Sequence, residues 1–170
     1  MLGFSKKEIF NFALAGVALG LVLAFADILG AWTSTRPIFP HTPVVIHHQD
    51  GSDSGFDAEV ARSESEQAYG LMFVKNLEAK AGMIFPYDPP RPVAFWMKNT
   101  LIPLDMLFVR PDGRIGRIVS QAQPLDVTPI PSQGPVEAVI ELSGGSVRKE
   151  NILIGDHVDS PALPPAQGLP

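Results

Sequence analysis

The sequence predicts an α+β domain that is mainly β: a small barrel-like or rolled antiparallel sheet with one or two short helices, preceded by an N-terminal hydrophobic helix. Three observations predict it. From Val44 onward the chain divides into short apolar runs of strand length, separated by turns rich in Gly, Pro, Asn and Asp. Within that region Ser63 and Glu66 have the spacing of a capping box, the start signal of a short helix. At the beginning, residues 9–26 form an apolar run whose sole polar side chain is Asn11.

Taken in order, that run comes first. Eighteen residues at helical rise span about 27 Å, close to the hydrocarbon thickness of a bilayer. Lys6 and Lys7 precede it, and Ala24-Phe25-Ala26 fits the small-x-small cleavage pattern. Residues 1–26 therefore read either as a cleaved signal peptide or as a membrane anchor held by residues 9–26. In both readings the lysines stay cytoplasmic and the domain is exported to the periplasmic or extracytoplasmic side. Residues 27–43 carry Pro37, Pro40 and Pro43 without amphipathic period and read as a linker.

The globular domain is expected over residues 44–159. Strands are expected at 44–48 and 56–62, joined by a turn-rich loop. A helix over 64–70 follows, with Gly70 as its stop. Leu71, Met72 and Phe73 supply apolar anchors after it. Strands at 82–86 and 93–97 flank the proline-rich stretch 88–92. The strand at 104–110 turns at Pro111-Asp112-Gly113 into another at 114–121. Residues 136–142 alternate as a strand, 144–150 suit a short helix, and Gly155-Asp156 turns into a closing strand at His157 and Val158. Residues 160–170 hold four prolines and no charge and read as a disordered tail.

Composition excludes several function classes. Net charge is −5, with 16 acidic against 10 basic residues between Val44 and Asp159, so a nucleic-acid backbone is not an expected partner. The chain has no cysteine, which removes disulfides, thiolate metal sites, a cysteine nucleophile and a lipoprotein anchor. Adjacent His47 and His48 face opposite ways on a strand and cannot clamp one metal. Asp50 and Asp53 lack the EF-hand spacing. Ser146-Val147-Arg148-Lys149 matches a serine-x-x-lysine pattern without its partner motifs. Neither a metal nor a cofactor is expected.

Residues 93–110 concentrate the chemistry. Read as a hairpin pairing Met97 with Leu104, they place Phe95, Met97, Leu104 and Met106 on one apolar face. The other face then carries Trp96 opposite Asp105, with Lys98 diagonal to the carboxylate. An aspartate among apolar neighbours needs partners, and Lys98 or the Asn99 and Thr100 amides are the nearest. Asp105 is thus either a loop lock or part of a ligand site in which Trp96 offers a flat surface and Lys98, Asn99, Thr100 and Asp105 offer polar contacts. Glu141 shares a face with Glu137 and Val139. It reads as a solvated edge glutamate, or, if it neighbours Asp105, as the second member of an acid–base pair.

The chain resembles the bacterial and archaeal domain-of-unknown-function family 192 over residues 56–158. The resemblance rests on Gly70-Leu71-Met72, Gly82-Met83-Ile84-Phe85, Phe95-Trp96-Met97-Lys98-Asn99-Thr100 with Pro103-Leu104-Asp105, Val139-Ile140-Glu141-Leu142, and Gly155-Asp156. Where the family usually places an arginine after its glycine-leucine-methionine, this chain has Phe73-Val74-Lys75, so a guanidinium contact is weakened or replaced. The resemblance implies a compact, mostly β, often exported domain and implies no activity, substrate or catalytic residue. Three functions stay open: a cell-envelope binding or accessory module with an envelope ligand near Trp96 and Asp105, a small hydrolase or transferase using Asp105 and Glu141, and a purely structural domain.

Overall fold

A computed structural model of the protein describes residues 36–163, and every element below lies in the unit that begins at Phe39. The expected hydrophobic helix, Lys6 and Lys7, most of the linker and residues 164–170 lie outside the described residues. Period-two alternation builds the first strands. Thr42, Val44 and Ile46 of β1 (His41–His47) and Ser54, Phe56, Ala58 and Val60 of β2 (Asp53–Val60) all turn inward. The two strands pair antiparallel in a single register from His41 opposite Glu59 to His47 opposite Asp53. The domain overruns its expected limits at both ends. β1 takes in residues assigned to the linker, and Ser160 and Ala162, assigned to the tail, are buried because the Ser160 hydroxyl donates to the Pro43 carbonyl at 2.7 Å.

The capping box forms as its spacing predicts. The Ser63 hydroxyl accepts from the Glu66 amide, Glu66 accepts from the Ser63 amide, and α1 (Glu64–Tyr69) ends at Gly70 with φ +51. The chain returns in β3 (Ala81–Arg91), which runs parallel to β2, one departure from the expected antiparallel sheet. β4 (Ala94–Phe95) is short. β5 (Leu104–Val109) and β6 (Ile115–Ala122) form the hairpin that Pro111-Asp112-Gly113 predicts. After β7 (Ile130–Pro131) come β8 (Val136–Ser143), α2 (Ser146–Lys149) and β9 (His157–Asp159).

Seven strands form one sheet in the order β6-β5-β8-β3-β2-β1-β9, while β4 and β7 pair separately. The sheet curls into a half-barrel whose outermost strands meet at one end. Arg114 bridges His157, and the Val158 amide donates to Gly113 O at 2.8 Å. One apolar cluster draws on every strand of the curl, including Val44, Phe56, Ile84, Leu107, Ile140 and Val158. A second covers the other face of the central strands. There Met83, Phe85, Met106, Phe108 and Val139 pack beneath Leu71, Met97 and Phe95. These two faces decide which side chains can meet.

Candidate functional site

The hairpin expected within residues 93–110 does not form. Ala94 and Phe95 pair with Pro131 and Ile130, while β5 takes β6 on one side and β8 on the other. The physical reason lies in β5, where all six residues are buried. A run apolar on both faces gains most in the sheet interior, flanked by two strands, rather than at the edge of a ribbon. The expected apolar face nevertheless holds, while the expected grouping of Trp96 with Asp105 does not. Met97, Leu104 and Met106 share one cluster, with Phe95 packed against it, and Leu107 and Val109 belong to the other.

Trp96 therefore does not oppose Asp105, and Lys98, Asn99 and Thr100 are not the aspartate's partners. Asp105, fully buried, accepts three backbone N–H bonds from more distant residues: Gln121 at 2.7 Å, Gly145 at 2.9 Å and Val147 at 2.8 Å. The last two begin α2, whose N-cap is Gly145 and so has no side chain to cap with. Asp105 supplies the cap from the neighbouring sheet, with its negative charge at the favourable helix end. Both carboxylate oxygens are engaged, so the group is a structural pin.

The acid–base pair is likewise excluded. Asp105 lies opposite Leu142 in the β5–β8 register, and Glu141 lies opposite Met106. Adjacent positions on a strand point to opposite faces, so the two carboxyls project from opposite sides of the sheet. Nor is Glu141 a solvated edge residue. β8 is central, and Glu141 stands between Met83 of β3 and Met106 of β5 at 4% exposure.

What Glu141 does reach is a cleft of about 380 Å³ on the outer face. It is lined by the end of α1 and the turn after it, Gln67 to Met72, by Arg91 to Trp96, and by Phe85, Tyr87, Lys98 and Thr100. The carboxyl of Glu141 has no hydrogen-bond or ionic partner among the described residues, and burial pushes its pKa up to about 8. Beside it, burial pushes the Tyr87 phenol well above its ordinary range, with Arg91 opposing and Glu141 reinforcing the shift. The Tyr87 hydroxyl also lacks a hydrogen-bond partner among the described residues. Both residues are buried, yet their polar oxygens keep contact with solvent and are free to meet a ligand.

The rim is cationic. The Arg91 guanidinium sits 5.0 Å from the Tyr87 ring centre and the Lys98 ammonium 5.5 Å from that of Trp96. Neither cation has a carboxylate partner among the described residues. Trp96 is 49% exposed, and Phe95 below it packs edge-on against Phe85 at 4.9 Å. The adjoining loops brace each other: the Phe73 amide donates to Asn99 O at 2.9 Å, and the Leu125 amide to Thr100 O at 3.1 Å. Phe73, Asn99 and Leu125 all adopt positive φ, natural for asparagine and strained for the other two.

Of the six residues singled out by sequence, Trp96, Lys98, Thr100 and Glu141 line the cleft. Asn99 shapes the loop beside it, its amide donating to the Met72 sulfur at 3.6 Å, and Asp105 belongs to the other face. Tyr87 and Arg91 were missed. Residues 88–92 read as a proline-rich break, whereas β3 continues to Arg91 through a register shift after Pro86.

A second polar cluster resembles a hydrolase triad. Ser54 Oγ lies 2.8 Å from His48 Nε2, and His48 Nδ1 lies 2.8 Å from Asp156 Oδ2. Its setting is structural. Ser54 is buried and does not line the cleft over Glu141, and its hydroxyl also contacts Glu150 at 3.3 Å. Asp156, fully buried, further accepts from Gln49 at 3.2 Å and the Leu153 amide at 2.9 Å. Those bonds outweigh its desolvation and hold its pKa below the usual carboxylate value. His47 turns away to Asp53, and among the described residues no three His, Asp or Glu side chains converge as metal ligands.

Comparison with known proteins places this geometry in context. The profile of DUF192, described as "Uncharacterized ACR, COG1430", matches residues 45–160. No curated protein matches. A crystal structure from Sinorhizobium meliloti 1021, described as a "putative transcription regulator", is 33% identical with a TM-score of 0.73, covering 76% of this chain and 100% of that one. One from Novosphingobium aromaticivorans DSM 12444, described as a protein of unknown function, is 40% identical with a TM-score of 0.68, covering 74% of this chain and 94% of that one.

Proposed function

We propose that this chain, which belongs to the uncharacterised family DUF192, is a small-molecule-binding accessory module whose ligand rests in the cleft over Glu141. A single observation carries the reading: a buried carboxyl without a protein partner opens into a cleft walled by aromatic side chains. Keeping such a group costs stability, as argued below, and a purely structural domain gains nothing from it. Asp105 belongs to the scaffold of this module and lies outside its site.

The reading is tested by screening acidic, basic and neutral fragments for thermal stabilisation of the domain, then mapping the binders by amide NMR. Binders are expected to shift Gly70, Trp96 and Thr100, and the shifts are expected to vanish in Glu141→Leu. Binders that map elsewhere on the domain, or none at all, sink the reading.

The module is further proposed to work outside the cytoplasm, delivered by residues 9–26 as a cleaved leader or a retained anchor. The support is the apolar run behind two lysines. Intact masses of the chain from soluble and membrane fractions separate the cases. A full-length chain confined to the cytosol removes export altogether.

A further inference from the structure

We infer that the ligand of this cleft is a small organic anion with an uncharged oxygen acceptor at its inner end, the acceptor taking hydrogen bonds from Tyr87 and Glu141 and the anionic group facing Arg91 and Lys98. The inference rests on the binding reading above and adds the chemical class. Its basis is the vertical division of the cleft. At the bottom are the hydroxyl of Tyr87 and the carboxyl of Glu141, on buried residues, without protein hydrogen-bond partners among the described residues and with their oxygens accessible to solvent. At the rim are two cations without carboxylate partners among the described residues. Between them the walls are Phe85, Phe95, Trp96 and Leu71, which suit a flat apolar body. A volume of about 380 Å³ is at the small end of ligand sites, which run from roughly 300 Å³ upward.

Charge bookkeeping selects the sign of the ligand. With burial holding Glu141 protonated at neutral pH, the lining carries two positive charges and no negative one. Tyr69 from α1, Tyr87 and Arg91 from β3 and Lys98 after β4 are the other titratable or charged side chains of the lining. β5 and β3 set only Met106 and Met83 directly beside Glu141. A neutral carboxyl has an O–H to donate, and paired with a phenol in an apolar setting it forms a two-donor site for an oxygen acceptor. Once ionised, Glu141 loses that donor and repels the anion.

The experiment uses three matched probes, para-acetylbenzoate, its neutral carboxamide and the corresponding benzylammonium, titrated by amide NMR. Para-acetylbenzoate is expected to bind most tightly and to weaken at least about tenfold between about pH 6.5 and about pH 9.5, as Glu141 deprotonates. Glu141→Gln, which cannot ionise, is expected to remove that pH step. Arg91→Gln combined with Lys98→Gln is expected to bring the benzoate down to the level of the carboxamide. Tighter binding of the benzylammonium, strengthening as pH rises, overturns the inference, because Glu141 would then be a counter-ion. Fragments that bind the cleft while all three probes fail also overturn it, leaving the binding reading intact. Failure of every fragment overturns both.

Discussion

Glu141 and Asp105 show how two buried carboxyls on neighbouring strands acquire opposite roles. Asp105 has three N–H donors; Glu141 has none. For Glu141 the linkage has a definite sign. Its folded pKa of about 8 lies above the ordinary 4.5, so the folded state holds a proton that the unfolded chain releases. Below the ordinary value the carboxyl costs nothing in charge. As pH rises toward the folded value, stability is progressively lost. At about 1.4 kcal/mol per pH unit the full cost is about 5 kcal/mol, of which about 3 is present at pH 7. Glu141→Gln is therefore expected to match the wild type within about 1 kcal/mol at pH 4 and to exceed it by about 3 kcal/mol at pH 7, as read by urea denaturation. A constant difference across that range would mean that Glu141 titrates normally. Asp105→Asn turns an amide NH₂ toward backbone donors, and a loss of about 3 kcal/mol is expected in the same measurement. Its fragment binding should be unchanged wherever the fold survives.

Elements carry these residues into place, and here the sequence was unevenly legible. Local signals read correctly: the Ser63–Glu66 capping box, the Gly70 stop and the Pro111-Asp112-Gly113 turn each depend on neighbours a few residues away. The Trp96–Asp105 pairing failed because it depended on which strand β5 would choose, and that choice is made by packing on both faces of the sheet. Glu141 was misjudged for the same reason. Alternation gives the face of a side chain correctly and says nothing about whether that face is covered. Gly82 is a further consequence of strand choice that composition alone does not reveal. A Cβ there would lie 2.7 Å from the Glu141 carbonyl and 2.8 Å from the Leu142 side chain. Gly82 thus lets β3 approach β8 at the very residue that floors the cleft. Gly82→Ala is expected to cost about 2 kcal/mol, the range of overpacking, and to shift the amides of Met83 and Glu141. A neutral effect on denaturation would mean that the two strands can separate without strain.

At the scale of the whole molecule, the curl is closed by backbone hydrogen bonds over the apolar contact of Ile115 and Val158. The sheet's outermost strands meet where Gly113 and Ile115 exchange backbone bonds with Gly155, Asp156 and Val158, and the Arg114 guanidinium donates to the Gly155 carbonyl. That junction is held from beneath by Asp156, which the His48 ring, the Gln49 amide and the Leu153 N–H all address. His48 is therefore more important as the clasp of a half-barrel than as a member of a triad. Removing it as His48→Ala leaves a buried carboxylate short of a partner, and such losses cost about 3 kcal/mol. The cost should fall locally. Native-state hydrogen exchange is expected to show the Ile115 and Val158 amides losing protection first, while Ile140 at the centre of β8 exchanges only with global unfolding. The cleft lies on the other face, so fragment binding over Glu141 should survive an opened clasp. Acid should act as the mutation does. Because the pKa of Asp156 is depressed, its stabilisation is present above the ordinary carboxylate value of 3.8 and is lost as pH falls through the lower folded value. If His48→Ala instead lowered protection uniformly, the half-barrel would be a single cooperative unit and the junction no weaker than its centre.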